Sequence, residues 1–169
     1  MKTTLTWKKD WWSSHFKIFA DEEQVGMLIS ETFAKTSVGE LNSNRYQFDT
    51  KGFFKPKTTI FDRNDQSIIG EISYNGWSSK AIVSISQDKF IWKYEIFWPM
   101  KYRLYRSSSP IIHYSSSTKG GQIQSEVDDD LLLLSGLHIA SYYEQIYLWA
   151  LVIPFILFPG IGFLSWFFN

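Results

Sequence analysis

The chain has 169 residues, no cysteine, and seventeen basic against seventeen acidic side chains, a formal charge of zero. That length suits one domain with a core that needs no disulfide or structural metal. The lack of cysteine excludes thiol nucleophiles, thiolate metal centres and a disulfide framework, and the balanced charge speaks against a general electrostatic binder of nucleic acid.

The first segment, "MKTTLTWKKDWWSSHFKIF", has lysines and an aspartate where a secretory signal has an uninterrupted apolar core, so a cytoplasmic start is expected. From there to about Val127 short alternating runs are separated by turn residues, the pattern of half-buried antiparallel strands. In order they are "TLTW", "HFKIFA", "VGMLIS", "SVGEL", "RYQFD", "KTTI", "SIIGEISY", "KAIVSIS", "FIWKYEIFW", "KYRLYR", "PIIHYS" and "GQIQSEV". The clearest is "FIWKYEIFW", with Phe90, Trp92, Tyr94, Ile96 and Trp98 on one face and Lys93 and Glu95 on the other. "FDRNDQS" and the Asn75-Gly76 pair read as hairpin turns, and "SSSTKGG" as a loop. A run of about twelve short, evenly spaced strands predicts a mainly β fold, a sandwich or barrel.

After Val127 the pattern changes. Asp128, Asp129 and Asp130 stand where acidic groups cap a helix and oppose its macrodipole. The stretch from Leu131 to Val152 reads as helix, ending or kinking near Val152 or Ile153 because Pro154 lacks a backbone donor. As a membrane span it is poor, since Ser135, Gly136, His138, Ser141 and Glu144 lie within it and an ionised carboxylate there costs about 3 kcal/mol. It reads better as a helix surrounded by protein, apolar on nearly every side, with Gly136 and Ala140 allowing strands to approach closely.

A series of strands followed by one apolar helix resembles the tubby-like carboxy-terminal fold of tubby proteins, phospholipid scramblases and LURP-one-related proteins. The likeness is carried by "TTIFDRNDQSIIGEI" (Thr58 to Ile72), by "FIWKYEIFW" and by "SEVDDDLLLL", and it extends roughly from Ser13 to Val152. It implies a closed antiparallel barrel of about twelve strands around a central hydrophobic helix, here residues 130–152 within a barrel domain of 1–153. Closure removes sheet edges, and the helix fills a bore that side chains alone would leave hollow.

Residues 154–169 form an apolar tail beyond the usual end of that family. No charged residue occurs from Gln145 to Asn169, and Trp149 and Trp166 bracket the run. Exposed to water it would promote aggregation, so a barrel mouth, a partner or lipid must cover it. Phe155, Phe158, Phe163, Trp166 and Phe167 are the candidate membrane contacts.

Tubby domains bind phosphoinositide head groups through basic residues, and two clusters here suit anionic lipid or a membrane protein partner. They are Lys51, Lys55 and Lys57 beside Phe53 and Phe54, and Lys101, Arg103 and Arg106 among tyrosines. The competing reading is ordinary solvent-facing charge. His138 and Glu144 are the polar residues expected inside the central helix. His15, His113 and His138 show no ligand spacing, and "SEVDDDLL" lacks the loop pattern of a calcium site, so no metal and no cofactor is expected. Serine elbow, paired carboxylates and phosphate loop are missing from the sequence, so no catalytic residue is assigned.

The expected role is a non-enzymatic, membrane-associated binding module, cytoplasmic and held at the membrane through the tail. The alternatives are a soluble interaction or scaffold protein with the tail packed on its own barrel, and a lipid-handling protein using the barrel as a container.

Overall fold

The computed structural model describes residues 2–9, 15–30, 35–52, 55–75, 79–96, 100–117 and 120–157. Strands β1 (Thr3–Lys9), β2 (His15–Ala20), β3 (Glu23–Ser30), β4 (Thr36–Leu41), β5 (Asn44–Lys51) and β6 (Lys57–Asp62) form the first half of the sheet. Strands β7 (Ile68–Asn75), β8 (Lys80–Ile85), β9 (Asp88–Ile96), β10 (Lys101–Arg106), β11 (Ser109–Ser117) and β12 (Gly120–Ser125) form the second, and α1 (Asp130–Leu157) follows. Each strand pairs antiparallel with its neighbours in the chain, and β1 pairs with β12 from Thr3↔Ser125 to Lys8↔Gly120, which closes the barrel. Closure leaves no unpaired edge to recruit another chain.

Alternation decides which residues face the bore. Leu5 and Trp7, Phe16 and Ile18, Phe48, Ile60, Ile72, Val83, Trp92, Leu104, Tyr114 and Ile123 point inward and are buried, while their sequence neighbours face out. Every residue of α1 from Leu131 to Ser141 is buried. This explains a helix that is apolar on all sides: it has strands all round it and no face toward water.

Two tight turns use non-glycine residues. Asp21 and Glu22 join β2 to β3, and Asn42 and Ser43 join β4 to β5; all four have positive φ, as two-residue hairpins matched to strand twist require. The Asp62–Ser67 turn is held by its own side chains, with Asp62 accepting from the Asn64 amide at 2.8 Å and Asp65 from the Ser67 amide at 2.9 Å. Gly76 and Trp98, assigned above to a turn and a strand, lie outside the described residues.

Glycine matters most at Gly136, where a β-carbon would overlap the phenol of Tyr114. That close approach lets the Tyr114 hydroxyl donate to the carbonyls of Leu132 and Leu133, 3.2 Å from each.

One boundary differs from expectation. The helix does not end near Val152 or Ile153 but continues through Pro154 to Leu157. Proline forfeits its own hydrogen bond to the preceding turn, and the bonds on either side carry the helix past it.

Candidate functional site

Because the barrel is a simple meander, successive strands run in opposite directions and the strand ends sort into two sets. At one end α1 enters. Asp129 accepts from the Leu132 amide at 3.0 Å and caps the helix, while Asp130 accepts from Asn42 at 2.9 Å and Asn44 at 2.8 Å, both on the β4–β5 hairpin. Midway along the bore, the His138 ring stacks on Phe48 with centroids 4.7 Å apart, and its Nε2 lies 3.4 Å from Thr58 Oγ1. Thr58 in turn contacts Tyr74 at 2.8 Å and Thr50 at 2.7 Å. Further on, Tyr143 donates to the Lys80 carbonyl at 2.5 Å, Glu144 meets Lys9 at 2.6 Å, and Tyr147 pairs with Ser79. The helix therefore emerges at the end formed by the β5–β6, β7–β8 and β9–β10 connections.

The two ends carry opposite charge. At the exit end six exposed lysines stand on strand ends and connections: Lys35, Lys51, Lys55, Lys57, Lys80 and Lys101. Among the described residues of that half, Glu71, Glu95 and Glu144 each hold a cation, respectively Lys57 at 2.9 Å, Arg103 at 2.6 Å and Lys9 at 2.6 Å. Asp49 accepts from Gln47. The entry end gathers Asp21, Glu22, Glu23, Asp62, Asp65, Asp88, Glu126 and Asp128 to Asp130, with Lys2, Arg45, Arg63, Lys89 and Arg106 among them. A neutral chain thus folds into a polarised barrel.

The residues singled out from the sequence divide accordingly. Lys51, Lys55, Lys57 and Lys101 come together on the exit end; Lys51 and Lys57 are direct cross-strand partners. Arg103 lies on the outer wall, bound to Glu95. Arg106 is separated from them at the entry end, its guanidinium 5.2 Å from the Phe90 ring centre. His138 is buried as expected, and the polar group beside it is the Thr58 hydroxyl. Glu144 keeps 17% of its side-chain surface at the mouth, where Lys9 reaches it. Phe158, Phe163, Trp166 and Phe167 lie outside the described residues, and Phe155 is described by its backbone alone. Lys9, Lys35 and Lys80 were missed by reading clusters along the sequence. Strand parity is the signal that finds them, since every second connection returns to the same end.

Electrostatics within the bore follows from burial. Desolvation holds the His138 imidazole down at about 3, so the ring is neutral. Burial raises the hydroxyls of Tyr74, Tyr102 and Tyr114, which remain protonated. At the entry end a polar hollow of ≈ 430 Å³ is lined by Asn42, Asn44, Tyr46, Asp128, Asp129 and Asp130. Burial first, then Asp130 and Asp129, raise the Tyr46 hydroxyl to about 12. Asp129 and Asp130 are engaged in capping and bracing bonds, and among the described residues no group of three or more His, Asp or Glu is placed to hold a metal ion.

Comparison of the chain with family models, curated proteins and solved structures finds no match. Among the described residues no helix is long and apolar enough to cross a membrane.

Proposed function

We propose that this protein is a non-enzymatic binding module that sets the exit end of its barrel against an anionic membrane surface. The observation carrying this reading is the emergence of α1 among six exposed lysines, followed by the uncharged segment that ends at Asn169. A lysine near anionic lipid contributes about 1 kcal/mol, so a ring of them holds a barrel end at the surface without any deep pocket. The composition of that segment agrees, since Phe155, Phe158, Phe163, Trp166 and Phe167 are large aromatic residues of the kind that partition into the interface. The resemblance to tubby-like proteins and scramblases supports the reading by analogy. A bore filled by α1 weighs against a lipid container, because the side chains from Leu131 to Ser141 occupy the space a ligand would need.

Vesicle flotation tests this. The full chain is expected to float with phosphatidylcholine vesicles containing phosphatidylserine and to remain below with phosphatidylcholine alone, more weakly as salt is raised. Deleting residues 155–169 should weaken flotation further. If full-length and truncated proteins float alike, the tail makes no lipid contact; if neither floats with phosphatidylserine, the scaffold reading, with the tail on its own barrel, replaces this one.

A further inference from the structure

On the outer wall the register brings three cations into one row. Lys80 on β8 is the direct partner of Lys93 on β9, and Lys93 is the direct partner of Arg103 on β10. Adjacent strands lie about 4.8 Å apart, and like charges directly opposite one another destabilise a sheet. The wall does little to offset this. Arg103 has Glu95 at 2.6 Å, and Lys93 lies 4.2 Å from the Tyr105 ring centre. Among the described residues no carboxylate lies within ion-pair distance of Lys80 or Lys93.

The next row toward the entry end is apolar. Ile82 is the partner of Ile91, which is the partner of Tyr105, and the two isoleucines are 44% and 41% exposed. Two lysines facing each other with no carboxylate partner, beside paired aliphatic side chains, are a conflict the fold itself does not need, and such conflicts mark contact surfaces. The opposite wall is mixed in charge: Met27 and Ile29 on β3 are also exposed, and Met27 lies between Lys17, which faces Lys8, and Glu40, which binds Arg45 at 2.9 Å.

We infer that the β8–β10 wall is a second membrane contact, so that the barrel lies with this side and the exit end together on an anionic bilayer. Charge complementarity argues for that occupant: the cations meet lipid phosphates while Ile82 and Ile91 reach the boundary between head groups and acyl chains. The outside of a barrel is convex, which suits a flat lipid surface better than a small ligand needing enclosure. Lys80 belongs both to the exit end and to this row, making the two surfaces continuous. The inference rests on the membrane reading above and specifies the side that faces lipid.

The lack of native cysteine permits a site-specific test. Full-length Ile91→Cys and Met27→Cys proteins carrying a polarity-sensitive fluorophore would be mixed with phosphatidylcholine vesicles with and without phosphatidylserine. A blue shift at position 91 alone, and only with the anionic lipid, is expected. In parallel, Lys93→Gln, which leaves all six exit-end lysines in place, should partition about five-fold more weakly, with thermal stability equal or higher because repulsion from Lys80 is relieved. If the native chain floats but this variant floats equally well, the wall is no lipid contact and the membrane reading stands. If the native chain does not float, both fall. A blue shift that follows protein concentration without vesicles would show a second copy covering the wall and overturn the inference.

Discussion

The Lys9 ammonium lies 2.6 Å from a Glu144 carboxylate oxygen, so the last residue of β1 is tied to the helix just where it leaves the bore. Both side chains are mostly buried, at 24% and 17% exposure, and Lys9 also lies 5.1 Å from the Phe16 ring centre. A carboxylate in that setting depends on its partner, because removing one half of a buried pair strands the other charge. Lys9→Met is expected to destabilise the barrel by about 1–2 kcal/mol, less than a fully buried pair would lose. Glu144→Gln should cost less than Lys9→Met, and the double variant should recover part of the loss. Denaturant unfolding of the four proteins measures this as a coupling energy; additive effects would show that the pair contributes nothing of its own.

Gly136→Ala should destabilise despite the better helix propensity of alanine. Propensity favours the change by about 1 kcal/mol, but the new methyl overlaps the Tyr114 phenol, and overpacking a tight core costs about 1–3 kcal/mol. Cutting the phenol away in Gly136→Ala/Tyr114→Leu should remove the clash, leaving only the loss of the Tyr114 bonds to Leu132 and Leu133. Thermal midpoints of the two variants compare these costs. An unchanged midpoint for Gly136→Ala would contradict the close contact.

His138 makes stability depend on pH in one direction. Well above the usual histidine value the imidazole is uncharged in the folded and unfolded chains alike and adds no slope. As pH falls from the usual histidine value toward about 3, the unfolded chain takes up a proton that the folded chain refuses. Stability therefore drops with falling pH, by up to ~1.4 kcal/mol per unit from this one group. His138→Leu should have a shallower slope between neutral pH and pH of about 5, read from urea midpoints. Equal slopes would mean that the ring is not buried.

Asp129→Ala should remove the cap on the Leu132 amide and cost about 1 kcal/mol. Asp130→Ala tests the neighbouring brace: it frees Asn42 and Asn44, which are exposed and rehydrate, so a smaller loss is expected. Chemical denaturation gives the comparison. A larger effect from Asp130→Ala would make the β4–β5 hairpin, and not the cap, the main anchor of the helix start.

Much of the fold is written in local pattern. All twelve apolar runs read from the sequence coincide with strands, because alternation such as Phe90, Trp92 and Tyr94 against Ile91 and Lys93 has one arrangement that buries the large rings. The aspartates before Leu131 announce the helix start for an equally local reason, since capping involves neighbours in the chain. Of an end or a kink at Pro154, the end does not occur: the missing donor removes one hydrogen bond, whereas helix length is decided by what the other bonds support.

The charges were less legible. Lys51, Lys55 and Lys57 were recognisable as a cluster because they are close in sequence, and Lys101 and Arg103 likewise. Their union with Lys35 and Lys80, the exclusion of Arg106, and the row Lys80, Lys93 and Arg103 depend on which strand ends coincide and which residues face each other across strands. The sequence alone therefore determined the strands, the helix start and the apolar nature of both helix and tail, since these follow from short-range periodicity and capping. Only tertiary structure decided that a chain of zero net charge has one acidic and one basic end, because barrel closure and cross-strand register, which are long-range relationships, set where each charge stands in space.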